Sequence, residues 1–273
     1  KSGSYATVKV TAMVKPLLAD DAKITAKDVT YNPKGIKVFV DTSKVPEDAA
    51  YTVAKVKNGS KVLSEDSYEY KDGVLTFNKN VAVGTYVVTF ESAKYQDVKV
   101  SVKVNKAKGT LTTKAKTTVN TAIGSKSFNL GAKATTGMKV SYASSNKKVA
   151  TVSSNGTVSV KGTGIATITV TASGSNYNTV TKKITIKVAP KKQSVKAKTA
   201  KKKLTITWTK DSNATGYQVQ IATKKNLKGA KTYTVKSYKT YKKTISKLKS
   251  KKKYYVRVRS YKTVGKTKLY GAY

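Results

Sequence analysis

Apolar and polar residues alternate with a period of two along most of the chain, as in "LTITW" (Leu204 to Trp208), "YVRVR" (Tyr255 to Arg259) and "ITIKV" (Ile184 to Val188). A strand turns successive side chains to opposite faces, so this period predicts half-buried β-strands. No stretch carries a convincing helical period. Asn58-Gly59, Asp72-Gly73 and Asn155-Gly156 each lie between strand-like runs, where tight hairpins are expected. Short strands at this spacing predict β-sandwiches.

The 273 residues exceed a typical single domain. "NKAKG" (Asn105 to Gly109) and "APKKQ" (Ala189 to Gln193) each follow a finished strand and predict seams. The expected architecture is all-β, with three tandem immunoglobulin-like or fibronectin type III-like sandwiches: module one over 1–106, module two over 107–190 and module three over 191–273. An internal repeat supports the first seam. "GTYVVTFESAKYQDVKVSVKV", ending at Val104, and "GIATITVTASGSNYNTVTKKITIKV", ending at Val188, share a glycine, a strand, a Tyr-containing turn and a final alternating strand. "GSYATVKVTAMVKP" (Gly3 to Pro16) reads as the first strand of module one. The alternatives are a separate strand from an upstream module, or a strand donated to a neighbour in a filament.

Composition narrows the chemistry. The chain has no cysteine and no histidine, which excludes disulfides, thiolate metal sites, Ser-His and Cys-His catalysis and His-ligated metals. No apolar run is long enough to span a membrane. No signal peptide is visible, and the chain reads as a mature form or an excised fragment. Net charge is +42 and grows along the chain. Residues 1–106 hold 17 lysines and 12 acids, residues 107–190 hold 12 lysines and no acid, and residues 191–273 hold 26 basic residues and Asp211. Such a gradient predicts attraction to anionic partners.

Two modules resemble known families. Module two carries "YASSNKKVATVSSNGTVSVKGTGIATITVTA" (Tyr142 to Ala172) and resembles the group 2 bacterial immunoglobulin-like domain across residues 107–189, with Tyr142 where that family usually has tryptophan. The residues give Val149, Thr151-Val152 and Val158 as a hairpin closed by Asn155-Gly156. Gly162 and Gly164 turn the chain into a strand expected to be built on Ile165, Ile168 and Val170. Module three carries "KLTITW", "ATGYQVQIAT", "ISKLKSKKKYYVRVRSY" and "GKTKLYGAY", and resembles a lysine-rich fibronectin type III domain of Firmicutes surface proteins. Leu204, Ile206 and Trp208 share one parity and are expected in the core, as are Tyr217, Val219 and Ile221. Leu248 followed by Tyr254 resembles the tyrosine corner of that fold, with Val256 and Val258 continuing inward. Module one carries no family resemblance. The resemblances imply spacer or adhesive modules of a secreted or cell-surface protein of a Gram-positive bacterium.

No catalytic residue, metal ligand or cofactor is expected. Paired carboxylates occur only in module one, mostly in hydrophilic turns, and "ADDAK" at Asp20 and Asp21 is a weak calcium candidate. The binding candidates are Tyr255, Arg257, Arg259 and Tyr261, which share the outward parity of one strand. They could stack on a sugar or pair with phosphate or sulfate; packing across neighbouring strands is the alternative reading. Two arginines among 55 basic residues, and no helix for a groove, argue against specific nucleic-acid recognition. The expected partners are anionic cell-wall polymers or glycans and host proteins. The expected function is a non-enzymatic stalk, scaffold or adhesin, with a carbohydrate- or immunoglobulin-binding module as alternative.

Overall fold

A computed structural model describes residues 14–79 and 81–273. The strand expected from Gly3 to Pro16 falls mostly outside the described residues. Within them the chain forms strands, with two short 3-10 turns at Glu47–Ala49 and Glu65–Ser67.

Module one comprises β1 (Thr25–Ala26), β2 (Val29–Thr30), β3 (Ile36–Asp41), β4 (Thr52–Asn58), β5 (Lys61–Val62), β6 (Tyr68–Lys71), β7 (Val74–Phe77), β8 (Gly84–Glu91) and β9 (Val98–Asn105). They build two sheets, in the orders β1-β3-β7-β6 and β2-β9-β8-β4-β5. β3 shows the period plainly: Ile36, Val38 and Val40 point into the core, whereas Phe39 is 73% exposed. Phe77 and Tyr86 meet between the sheets with ring centroids 5.1 Å apart. Asp72-Gly73 closes β6 onto β7, with Lys71 opposite Val74. Both turn residues have positive φ, 50° and 71°, as a two-residue hairpin matched to strand twist requires.

Module two comprises β10 (Leu111–Thr112), β11 (Thr118–Ala122), β12 (Phe128–Asn129), β13 (Lys133–Ala134), β14 (Lys139–Ser144), β15 (Ala150–Val152), β16 (Thr157–Val160), β17 (Gly164–Gly174) and β18 (Tyr177–Ala189). The sheet β11-β18-β17-β14 faces the smaller sheets β10-β13 and β12-β16-β15. The shared architecture extends beyond the repeated hairpin. In module one β2 runs parallel to the last strand β9, and in module two β11 runs parallel to the last strand β18. Ile165 departs from expectation. Ala166, Ile168, Val170 and Ala172 fill the core, and Ile165 lies half-buried on the other face of β17. Ile165 and Ile168 are three positions apart, an odd offset, so a strand cannot place both on one side.

Module three comprises β19 (Val195–Ala200), β20 (Lys203–Trp208), β21 (Gly216–Ala222), β22 (Lys231–Val235), β23 (Lys242–Ile245), β24 (Tyr255–Val264) and β25 (Thr267–Tyr270), in the sheets β19-β20-β23 and β22-β21-β24-β25. Leu204, Ile206, Trp208, Tyr217, Val219 and Ile221 are all buried, together with Val258. Trp208 and Tyr217 pack with ring centroids 5.2 Å apart. The Tyr217 hydroxyl accepts from Asp211 N–H (2.8 Å) and donates to Tyr238 O (3.1 Å). Tyr254 completes the tyrosine corner by accepting the Lys249 N–H at 3.0 Å. Its ring is half-buried.

Three apolar cores are thus present, and the backbone divides into two compact units. One takes in module one with Gly174–Asn178; the other takes in the rest of module two with module three. In the first unit Tyr177 meets Tyr31 edge-on at 5.5 Å, and Val83 N–H donates to Asn176 Oδ1 at 3.1 Å. In the second, the connecting segment is fastened to β24: fully buried Ser260 donates to Lys191 O at 2.9 Å, and Gln193 Nε2 donates to the same carbonyl at 2.9 Å.

Candidate functional site

The richest arrangement of oriented polar groups lies on the outer face of the β22-β21-β24-β25 sheet. Register brings it together. Gln218 stands opposite Arg259 and Gln220 opposite Arg257 across β21 and β24, and Tyr270 of β25 stands opposite Tyr261. Thr232 and Thr234 of β22 flank the glutamines. No acid occurs on any of these four strands.

Each guanidinium is held in two ways. Arg257 Nε donates to Gln220 Oε1 at 2.7 Å, and Arg259 donates to Gln218 Oε1 from Nε (3.0 Å) and Nη2 (2.8 Å). The Arg259 guanidinium lies over Tyr270, 3.9 Å from its centroid, and over Tyr273 at 4.5 Å; that of Arg257 lies over Tyr273 at 4.0 Å. The result is a ladder ordered Tyr270, Arg259, Tyr273, Arg257. Planar, delocalised guanidinium suits this, because its faces stack on rings while its edge keeps the N–H donors.

The ladder only partly coincides with the expected stripe of Tyr255, Arg257, Arg259 and Tyr261. All four stand on the outward side of β24, and both arginines join the ladder. Tyr255 lies at the start of the strand opposite Ala222, half-buried, with Lys253 Nζ 5.6 Å from its ring centroid. Tyr261 corrects the expectation that it presents an open face, since it is only 4% exposed. It stands opposite Gly216, where a Cβ would come within 2.9 Å of the tyrosine hydroxyl. The missing side chain lets the ring settle onto the sheet, under Tyr270 and Lys268. Burial, and secondarily the neighbouring Tyr270, pushes the Tyr261 hydroxyl above the ordinary phenol range.

Sequence reasoning missed Tyr270, Tyr273, Gln218 and Gln220. The glutamines were available from the outward parity of "YQVQ", and Tyr270 from hairpin pairing of "GKTKLY" with β24. Tyr273 follows the last strand, where no periodicity reaches it.

Elsewhere the side chains are less organised. In module one, Asn58, Lys61, Ser64, Asp66, Asn78 and Tyr86 line an open depression of about 460 Å³. Asp20 and Asp21 lie on an exposed turn, and no group of three or more acidic side chains converges among the described residues. No helix of the described residues is long and apolar enough to cross a membrane.

Comparison with known families assigns each sandwich a likeness. Residues 25–105 match the model described as heme-binding protein Shr-like, Hb-interacting domain. Residues 130–174 match the intimin immunoglobulin-like domain, and residues 188–270 the fibronectin type III domain. Among solved structures, domains A168–A170 of titin are 14% identical and align over 92% of this chain and 95% of theirs, with a TM-score of 0.35. Extracellular domains 3–5 of Drosophila OTK are 12% identical over 94% and 98%, with a TM-score of 0.34. Domains FN1–FN3 of chicken CNTN1 are 12% identical over 94% and 95%, with a TM-score of 0.28. No curated protein matches the chain. The chain is an all-β string of sandwiches whose successive parts are similar to a Shr-like Hb-interacting domain, an intimin immunoglobulin-like domain and a fibronectin type III domain.

Proposed function

We propose that the chain is a non-enzymatic adhesive segment of a secreted or cell-surface protein. In this reading modules one and two, divided near Ala107 and Pro190 from their neighbours, serve as folded spacers, and module three carries a cationic contact surface for anionic wall polymers or glycans. The observation that supports it is the ladder on an acid-free sheet, in a module with 26 basic residues and one acid. Aligned positive charge on a flat face draws polyanions from a distance and releases counterions on contact. The test is binding of the full chain to beads coated with an anionic polysaccharide across a salt series. The logarithm of affinity is expected to fall steeply and linearly with the logarithm of salt concentration. Salt-independent binding, or none, would remove the reading.

A second reading is favoured by one observation, the match of residues 25–105 to a Hb-interacting domain model. On that reading module one is the ligand-binding end and takes a host heme protein. Titrating the full chain into haemoglobin tests it, with Phe39→Ser, a change on the exposed face of β3, expected to weaken any complex. Absence of a complex at micromolar concentrations sinks it.

A further inference from the structure

We propose that the ladder recognises a linear phosphodiester polymer with a three-carbon spacer, of the poly(glycerol phosphate) kind, laid along β24. The proposal deepens the adhesive reading by naming the ligand chemistry of the same face.

What the ladder leaves open defines the ligand. Tyr270 and Tyr273 lie over the Arg259 guanidinium, and Tyr273 lies over that of Arg257, so ring and guanidinium faces are spent on one another. Both Nε donors are occupied by glutamine oxygens. Among the described residues the Nη groups of Arg257 and Nη1 of Arg259 have no protein acceptor. These are edge-directed donors, the geometry that grips a tetrahedral oxyanion through paired N–H···O bonds. The glutamines and rings fix both forks beforehand, so little side-chain freedom is lost on binding.

Spacing selects among polyanions. Arg257 and Arg259 are two residues apart on one strand, which sets a pitch of about 7 Å. Two residues of extended peptide are six chain bonds. A glycerol phosphodiester also repeats every six chain bonds, and so at about 7 Å when extended. Successive phosphates therefore fall in step with successive guanidiniums. Sulfated polysaccharides carry their charges at irregular separations within and between sugar rings and do not keep this even step. Nucleic acid shares the six-bond repeat, but its bases need a series of open aromatic faces to stack on; Tyr273 is taken up by both guanidiniums, which leaves Tyr270 as the one exposed ring of the ladder.

Fluorescence anisotropy on the full chain separates these possibilities, using labelled glycerol-phosphate oligomer, a heparin-type oligosaccharide and oligothymidylate at matched charge. The glycerol-phosphate oligomer is expected to bind tightest. The double variant Arg257→Lys/Arg259→Lys keeps the charge and loses the stacked forks; it is expected to weaken that oligomer about tenfold. Lys196→Gln/Lys198→Gln, on the other sheet, is expected to change it less than about twofold. Equal weakening by the two pairs would reduce the face to diffuse charge and overturn the proposal. Equal or tighter binding of oligothymidylate or heparin would reassign the ligand and overturn it too. An independent reading needs no variant. Arg257 and Arg259 are the chain's two arginines, so phenylglyoxal modification followed by mass spectrometry reports on the ladder alone. The oligomer is expected to slow modification of both, and unchanged rates overturn the proposal. Salt-sensitive binding to anionic beads with no protection of the arginines would defeat the ladder while leaving the adhesive reading intact.

Discussion

Modules one and three solve the same packing problem and differ almost entirely outside the core. Each places a tilted aromatic pair between its sheets, Phe77 with Tyr86 and Trp208 with Tyr217, at nearly equal separations. Each lets the buried tyrosine donate its hydroxyl to a backbone carbonyl, Ala82 in one and Tyr238 in the other. Outside, module one mixes 17 lysines with 12 acids, and its Lys94–Asp48 pair is exposed and of small energetic weight. Module three has one acid for 26 cations, and its cations turn to rings instead. Every close cation–ring pair among the described residues lies there: Lys231 and Lys243 on Tyr233, Lys253 on Tyr255, Lys268 on Tyr261, and the two arginines of the ladder. A sandwich core constrains its exterior so little that a module nearly stripped of acids still folds, as module two, with 12 lysines and no acid, also does.

The largest expected effect tests the equivalence of the cores. Phe77→Ala and Trp208→Ala should each cost about 3–5 kcal/mol. Hydrogen exchange should show protection lost in the mutated module alone. Loss in the unmutated module would mean the two cores do not fold as separate units.

Gly216 carries the next effect. A Cβ there would sit 2.1 Å from Val235 O as well as against Tyr261. Gly216→Ala should cost about 1–3 kcal/mol by forcing β21 and β22 apart, and should make Tyr261 more accessible to solvent. Gly84 in module one meets only the flexible end of Asn58, so Gly84→Ala is expected to be milder. Chemical denaturation of the two variants gives the ranking, and a reversed order would contradict the register described above.

Ionic strength separates the exteriors. Going from about 0.1 M to about 0.01 M salt lengthens the screening distance from about 10 Å to about 30 Å. Like-charge repulsion should then weaken module three by about 1 kcal/mol. Module one, near charge balance, should hardly respond. Exchange rates in β21 against those in β8 measure the difference, and equal responses would remove the electrostatic half of the comparison.

The smallest effect is alkaline. Burial raises the hydroxyls of both Tyr86 and Tyr217 above the ordinary phenol range. The folded state therefore favours the neutral phenol. The stability this contributes is complete below pH about 10 and is lost as pH rises past the unfolded value toward the raised one. Phenolate absorbance should show both ionising late, above the ordinary phenol range. Early ionisation of Tyr217 would mean that the surrounding lysine field outweighs burial.

Much of this was legible in the residues. Leu204, Ile206 and Trp208 declare their side of the sheet by parity alone, and Leu248 with Tyr254 marks a corner that the Lys249 N–H closes. Ile165 obeys the same rule, because its odd offset from Ile168 turns it to the other face of β17. Tyr261 is different in kind. Its parity was right, yet its exposure depended on a glycine in β21 and a tyrosine in β25, neither adjacent to it in sequence.

Side-chain period, turn residues and charge are properties of neighbours along the chain, and they sufficed to determine an all-β protein with cationic outer faces. Which tyrosines would cover Arg257 and Arg259 was decided by the register between β21, β24 and β25 and by the path of the chain to Tyr273. Register is settled only when whole sheets pair and pack. The contacts it creates join residues far apart in sequence, and no local pattern records them.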